Sequence, residues 1–244
     1  MIGVFDSGIG GLRLLDQLRQ RWGQEDFIYL ADQAHVPYGS LDRDTLLELL
    51  QQNLNWLEDQ GAKTIVVACN TASATGIVRR YIGQAQVIEI ISKTCELIPK
   101  SARKILVLAT PFTVQSHRYK QVLAQQRPQA EVTEVGLSCL AFMIEHLCPK
   151  QEILAYLQGE LRAYRGQYDA AVLACPHFPF AREQFAEVLQ IPLIDSESIA
   201  LEAPKKAGQG TLRIVTTGSG EQLSRQLHQL MRWDTVCEHV QIEK

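Results

Sequence analysis

The 244-residue chain contains no Cys-x-x-Cys pair. Its six cysteines are scattered at 69, 95, 139, 148, 175 and 237. A chain of this size builds a core without disulfide staples, so the cysteines read as reduced thiols and the expected compartment is the cytoplasm. A structural zinc site is excluded on similar grounds. Cys175 and His177 are too close for the usual ligand pair, and no second pair completes a tetrahedron. No apolar run approaches the roughly 20 residues that span a bilayer, so no membrane partner is expected. The opening Met1-Ile2-Gly3-Val4-Phe5-Asp6 lacks the basic flank and long apolar stretch of a signal peptide, and reads as a strand that begins at once. Basic residues are not in excess: 24 Lys and Arg face 27 Asp and Glu, a formal charge of −3, which excludes nucleic acid as the main ligand. Nucleotide fingerprints are missing too. After Gly8 and Gly10 the third glycine of G-x-G-x-x-G falls at Arg13, and no Gly-Lys-Ser/Thr completes a Walker A loop.

What is present is a core-building chain, 46% hydrophobic and 21% charged. Short apolar runs at 2–5, 26–30, 64–69, 87–91, 104–109, 132–135, 170–175 and 212–216 alternate with amphipathic stretches. Segment 44–60 sets Leu46, Leu47, Leu50, Leu54 and Leu57 along one face, with Gly61 as a C-terminal stop. Segments 151–164 and 221–233 read similarly. This alternation predicts an α/β protein of mainly parallel sheets flanked by helices. Polar breaks at 99–103 and 203–210 divide the chain. We expect two similar domains, the first made of 1–92 and 206–244 and the second of 93–205, with the active site in the cleft between them. In such sheets ligands gather at the carboxyl ends of strands. Asp6, Ser7, Asp32, Cys69, Asn70, Thr71, Thr110 and Cys175 to His177 fall there.

The most telling feature is a pair of cysteines in near-matching settings. Val66-Val67-Ala68-Cys69-Asn70-Thr71 and Val172-Leu173-Ala174-Cys175-Pro176-His177 each end a buried strand and turn at once to polar or turn-forming residues. Each alone reads more readily as an inert buried cysteine. Together they suggest one acid-base thiol on each side of a substrate. A free thiol titrates near ~8.5, and donors or cations nearby favour its thiolate. Asn70, Thr71 and the amides after them are candidate donors on one side, and His177 is a candidate partner on the other. Cys175 with His177 also fits an acyl-transfer nucleophile, which would leave Cys69 unexplained. Asp6-Ser7-Gly8-Ile9-Gly10-Gly11 permits a tight turn with backbone close to a ligand, or serves only to cap a helix. Cys139 and Cys148 flank the apolar stretch 140–147, which reads as core, and its Glu145-His146 pair is expected to be solvated.

These motifs resemble those of the glutamate racemases, within the cofactor-independent aspartate/glutamate racemases. The resemblance rests on Asp6-Ser7-Gly8-Ile9-Gly10-Gly11, Val36-Pro37-Tyr38-Gly39, Ala68-Cys69-Asn70-Thr71-Ala72 and Cys175-x-His177-Phe178-Pro179. Weaker matches are Asp32, Thr110-Pro111-x-Thr113, Tyr119, Glu145 and Asp195-Ser196. The resemblance implies two facing α/β domains with glutamate in the cleft. It implies that Cys69 and Cys175 are the acid-base thiols, that Asp6 assists the first and His177 the second, and that Ser7, Tyr38, Gly39, Asn70 and Thr71, with Asp6, Pro176 and His177, surround the amino acid. No pyridoxal, other cofactor or metal is expected. The implied activity interconverts L- and D-glutamate and supplies D-glutamate for peptidoglycan, with a homodimer as one assembly open to the chain. One departure bears on the substrate. The family reads Cys-Thr-His where this chain has Cys175-Pro176-His177, and proline offers neither a hydroxyl nor an N–H. Alternatives are therefore a racemase of aspartate or another acidic amino acid, or a low-activity or non-catalytic ligand-binding paralogue.

Overall fold

The computed structural model describes residues 1–76, 81–199 and 210–242. Eleven strands among them form two sheets. They are β1 (Ile2–Asp6), β2 (Phe27–Ala31), β3 (Thr64–Val67), β4 (Tyr81–Ile82), β5 (Ala85–Glu89), β6 (Lys104–Ala109), β7 (Glu131–Gly136), β8 (Ala170–Ala174), β9 (Leu193–Ile194), β10 (Leu212–Thr216) and β11 (Glu238–His239). The first sheet has the order β11-β10-β2-β1-β3-β5-β4, and the second the order β7-β6-β8-β9. Every strand pair is parallel except β4 with β5. Parallel strands covered by helices are buried on both faces, which explains why β1, β2 and β8 are apolar runs with no exposed residue.

The helices obey their apolar periodicity. Helix Arg43–Asp59 buries Leu46, Leu50, Leu54 and Leu57, each contributing about 1.5–3 kcal/mol. Asp42 caps its start by accepting from the Thr45 amide at 3.0 Å, and Gly61 follows its end with φ +92°. Helix Gly220–Met231 buries Leu223, Gln226 and Leu227, a stripe in which the glutamine is out of character.

Several details differ from the sequence expectation. The run at 87–91 is strand only as far as Glu89. The Glu89 side chain accepts from the amides of Ile91 and Ser92, and so starts helix Ile90–Glu96. Strands β4, β9 and β11 were not expected, because two residues carry no readable period. The expected domain limit at 92/93 falls inside helix Ile90–Glu96, and the one at 205/206 lies outside the described residues. The last strands return to the first sheet: β10 pairs with β2, in register from Leu212 with Phe27 to Thr216 with Ala31. Among the described residues no helix is long and apolar enough to cross a membrane. The carboxyl ends of β1 and β3 in one sheet, and of β6 and β8 in the other, deliver Asp6, Cys69, Thr110 and Cys175 to one place.

Candidate active site

A small cavity lies between the two sheets. Its wall carries Cys69, Thr71, Ser7, Tyr38 and Gly39 from the first, and Thr110, Cys175, Pro176 and His177 from the second, with Val36, Pro37 and Ala141 completing it. It encloses about 20 Å³, room for a single water. Both cysteines are free and 3% exposed. Asp6 and Asn70 do not line the cavity but are buried beside residues that do.

The two thiols have different surroundings. Cys69 begins helix Asn70–Ala74, its Sγ accepts from the Ala72 amide at 3.5 Å, and Ser7 Oγ is 3.8 Å away. Burial, and then the charge of Asp6, push this thiol well above its ordinary value, so its resting form is the protonated one. Cys175 Sγ instead lies 3.9 Å from His177 Nδ1, a long sulfur hydrogen bond.

His177 has a partner that the sequence reading misplaced. Glu145 was expected to be solvated, yet it is 2% exposed and its Oε2 lies 2.6 Å from His177 Nε2. Its other donors are the Ile9 amide at 3.1 Å and Gln33 Nε2 at 2.6 Å. The available signal was an acid inside the apolar stretch 140–147, since a buried carboxylate must be paired. Burial works against an imidazolium here, but hydrogen bonds to Cys175 and Glu145 outweigh it and hold His177 well above its ordinary value. Burial likewise opposes an ionised Glu145, but His177, Gln33 and the Ile9 amide outweigh it and hold Glu145 below its ordinary value. The two shifts agree on a buried ion pair.

The glycine loop serves this pair. A Cβ on Gly8 would collide with Glu145 Oε2, and one on Gly10 would come within 2.5 Å of His177 Nδ1. The loop's glycines therefore allow a side-chain pair from the other sheet to press against backbone, a role beside the two expected from the sequence, ligand approach and helix capping. Tyr29 OH donates to the Gly8 carbonyl at 2.7 Å and steadies the turn. Asp6 Oδ2 accepts from the Gly8 amide at 3.1 Å, while Oδ1 has no partner among the described residues. Burial raises the Asp6 carboxyl above its ordinary value against the opposing pull of His177.

Behind the cavity, Tyr38 OH donates to Asp32, which also accepts from Asn53 Nδ2 at 3.1 Å and Thr217 Oγ1 at 2.6 Å. Asn70 Oδ1 accepts from Tyr119 OH at 2.6 Å, leaving Nδ2 unpaired. Thr71 and Thr110 meet through their hydroxyls at 3.0 Å, a direct polar contact between the two sheets. Asp195 and Ser196 lie outside the wall, with Asp195 engaged by Arg182. Among the described residues no cluster of His, Cys, Asp and Glu is arranged to hold a metal ion.

Two thiols, buried carboxylates and an imidazole gather at the strand ends of two mainly parallel sheets, the place where α/β enzymes hold their ligands. The model of the Asp/Glu/Hydantoin racemase family matches residues 15–203, and the chain belongs to that family. It is 30% identical over 243 residues to a glutamate racemase of Halothermothrix orenii, covering 93% of this chain and 95% of that one. It is 31% identical to a glutamate racemase of Aquifex aeolicus, covering 92% and 91%. Its fold matches the crystal structure of the Francisella tularensis glutamate racemase in complex with D-glutamate at a TM-score of 0.88, with 26% identity and coverage of 99% and 97%.

Two predictions follow from this packing. Gly8→Ala and Gly10→Ala should each lower the unfolding free energy by about 1–3 kcal/mol through overpacking, measurable by urea unfolding, and should reduce turnover with it. Glu145→Gln tests the ion pair through pH. The stability contributed by the raised His177 is complete below its unfolded value of 6.5 and is lost as pH rises through its folded value. That contributed by the depressed Glu145 is complete above 4.5 and is lost as pH falls through its folded value. The difference in thermal midpoint between wild type and Glu145→Gln should therefore be widest between those two values and narrow on both sides.

Proposed function

We propose that this chain interconverts L- and D-glutamate by a two-thiol, two-base reaction in which Cys69 and Cys175 serve opposite faces of the α-carbon. The observation that carries the reading is that two thiols from different sheets line one cavity, each with its own partners. One sulfur, as thiolate, takes the α-proton, and the other, as thiol, returns a proton to the opposite face. His177 holds or passes the proton on the Cys175 side. Asp6 acts on the Cys69 side, where its charge bears on the thiol. An α-proton is a very weak acid, so the developing carbanion needs fixed donors in a site closed to water.

The unpaired groups suit an amino acid. Asp6 Oδ1 is a buried acceptor without a donor, and Asn70 Nδ2 is a buried donor without an acceptor. An α-ammonium supplies what the first lacks, and a carboxylate what the second lacks. Ser7, Thr71 and the Tyr38-Gly39 segment offer the remaining polar contacts. A cavity with room for one water is too small for glutamate, so binding needs the two sheets or the Val36 to Gly39 segment to move apart. The product, D-glutamate, would serve peptidoglycan synthesis. The reading places the chain in the cytoplasm, with a homodimer as its assembly.

Pro176 favours a second reading of the substrate. It lies in the wall between Cys175 and His177 and presents no N–H, next to the apolar Ala141, Val36 and Pro37. A pocket with fewer donors on this side would accept aspartate or another acidic amino acid, or bind without turnover. Deuterium incorporation from heavy water into a panel of D- and L-amino acids separates these outcomes. Glutamate should exchange fastest, and exchange confined to aspartate, or absent throughout, would replace the first reading. Cys69→Ala and Cys175→Ala should each abolish racemisation from either enantiomer, and ordinary turnover in either variant would refute the two-thiol assignment. Pro176→Thr should raise kcat/KM for glutamate by about tenfold, the effect of one added hydrogen bond of ~1.4 kcal/mol. Unchanged kinetics would show that the missing donor is not limiting.

A further inference from the structure

Glu145 belongs to the segment after β7 of the second sheet, yet three of its four polar contacts come from the first. Ile9 follows β1, Gln33 follows β2, and Gln226 lies on the helix after β10. Their contacts form a closed circuit. The Gly218 amide donates to Thr216 Oγ1 at 3.0 Å, and that hydroxyl donates to Gln33 Oε1 at 3.1 Å. Gln33 Nε2 then donates to Glu145 Oε1 at 2.6 Å and to Gln226 Oε1 at 2.8 Å. Gln226 Nε2 donates to the Glu145 carbonyl at 2.6 Å, and the Ile9 amide reaches Oε2 at 3.1 Å. Each amide is orientated by its own partners, so neither can flip without leaving like atoms facing each other. Gln226 is 2% exposed on an otherwise apolar stripe, an expensive position unless both ends of its amide are used.

We infer that Gln33, Gln226 and the Ile9 amide form an interlobe clasp that fixes Glu145 against His177 only while the two sheets are closed on each other, making Gln33 and Gln226 positioning residues for proton transfer at Cys175. The inference rests on the two-thiol reading for its catalytic consequence, but its structural part stands apart from the substrate. Opening the cavity to admit a ligand draws Ile9, Gln33 and Gln226 away from Glu145. Closure restores the donors. The titratable groups facing the pair are Asp6, Tyr29 and Cys175, all acids, so His177 is the one cation among them, and the clasp donors are neutral. Removing a donor frees the Glu145 carboxylate to leave its place against His177 Nε2, and a displaced carboxylate no longer favours the imidazolium.

The test uses the intact protein labelled with ¹⁵N-histidine. The chain has six histidines, and the His177 signal is assigned by its loss in His177→Asn. In wild type this signal should keep its imidazolium pattern to higher pH than those of the exposed histidines. In Gln33→Met and Gln226→Met, which keep length and remove the donor, it should titrate about one pH unit lower, the equivalent of a tenfold change. With glutamate, kcat/KM should fall about tenfold and by the same factor in both directions, since racemisation has an equilibrium constant of one. The loss should fall on kcat more than on KM. Gln33→Glu sets a carboxyl against Glu145, and should be worse than Gln33→Met at neutral pH and partly rescued on acidification. Unchanged His177 titration in both folded methionine variants would overturn the clasp. Absence of α-proton exchange in wild type would instead overturn the two-thiol reading, while the titration would still decide the clasp.

Discussion

The contact between His177 and Glu145 is the constraint around which the site is organised. It is a buried ion pair, and such a pair is stable only when geometry and further hydrogen bonds compensate the loss of water. The requirement explains features that otherwise look unrelated. The loop after β1 needs glycine where it meets these two side chains. Gln33 and Gln226 sit in apolar company because Glu145 needs donors. The helix that carries Glu145 turns Leu140 and Ile144 into the core on the same side, so the acid is driven inward by its neighbours. Once held, His177 has one ring nitrogen committed to Glu145, and the other is left to face Cys175.

Much of the fold was legible because parallel strands buried on both faces are continuous apolar runs, and few other elements of four to six residues look like that. The helices followed from leucine spacing, as in 43–59, where the buried face is the one the period marks. The thiols were legible as a pair because each follows such a run. What escaped was long-range and polar. Glu145 and Gln226 are an acid and an amide within apolar periods, and either reads as a solvated interruption until the opposing sheet is in place. Gln33 sits between motif residues Asp32 and Val36 and carries no local signal. The glycines were seen, but a glycine reports only that something comes close, not whether it is a ligand or a side chain from far along the chain.

The thiol environments are unequal, and this bears on how a symmetric reaction runs on an asymmetric frame. Cys69 is surrounded by an amide, a hydroxyl and the Asp6 carboxyl, with no cation in contact among the described residues. Cys175 has an imidazole supported by a carboxylate. A chiral protein cannot present mirror-image surroundings to mirror-image substrates, so the difference is unavoidable.

Such inequality cannot bias the outcome. The two enantiomers have equal free energy, so on the two-thiol proposal any preference of the proton for one sulfur changes how the free enzyme divides between its two protonation forms and leaves the equilibrium constant at one. A form favoured too strongly would start turnover from one enantiomer readily and leave the other waiting on a rare enzyme species. The cost of inequality is therefore kinetic, and it is smallest when the two forms lie close in free energy. Burial and Asp6 hold the proton on Cys69. The His177 ring, charged while Glu145 is in place, sets a cation against Cys175, where Asp6 sets an anion against Cys69. The ion pair therefore adds to the difference between the two lobes, and on the two-thiol proposal the reaction runs in spite of it.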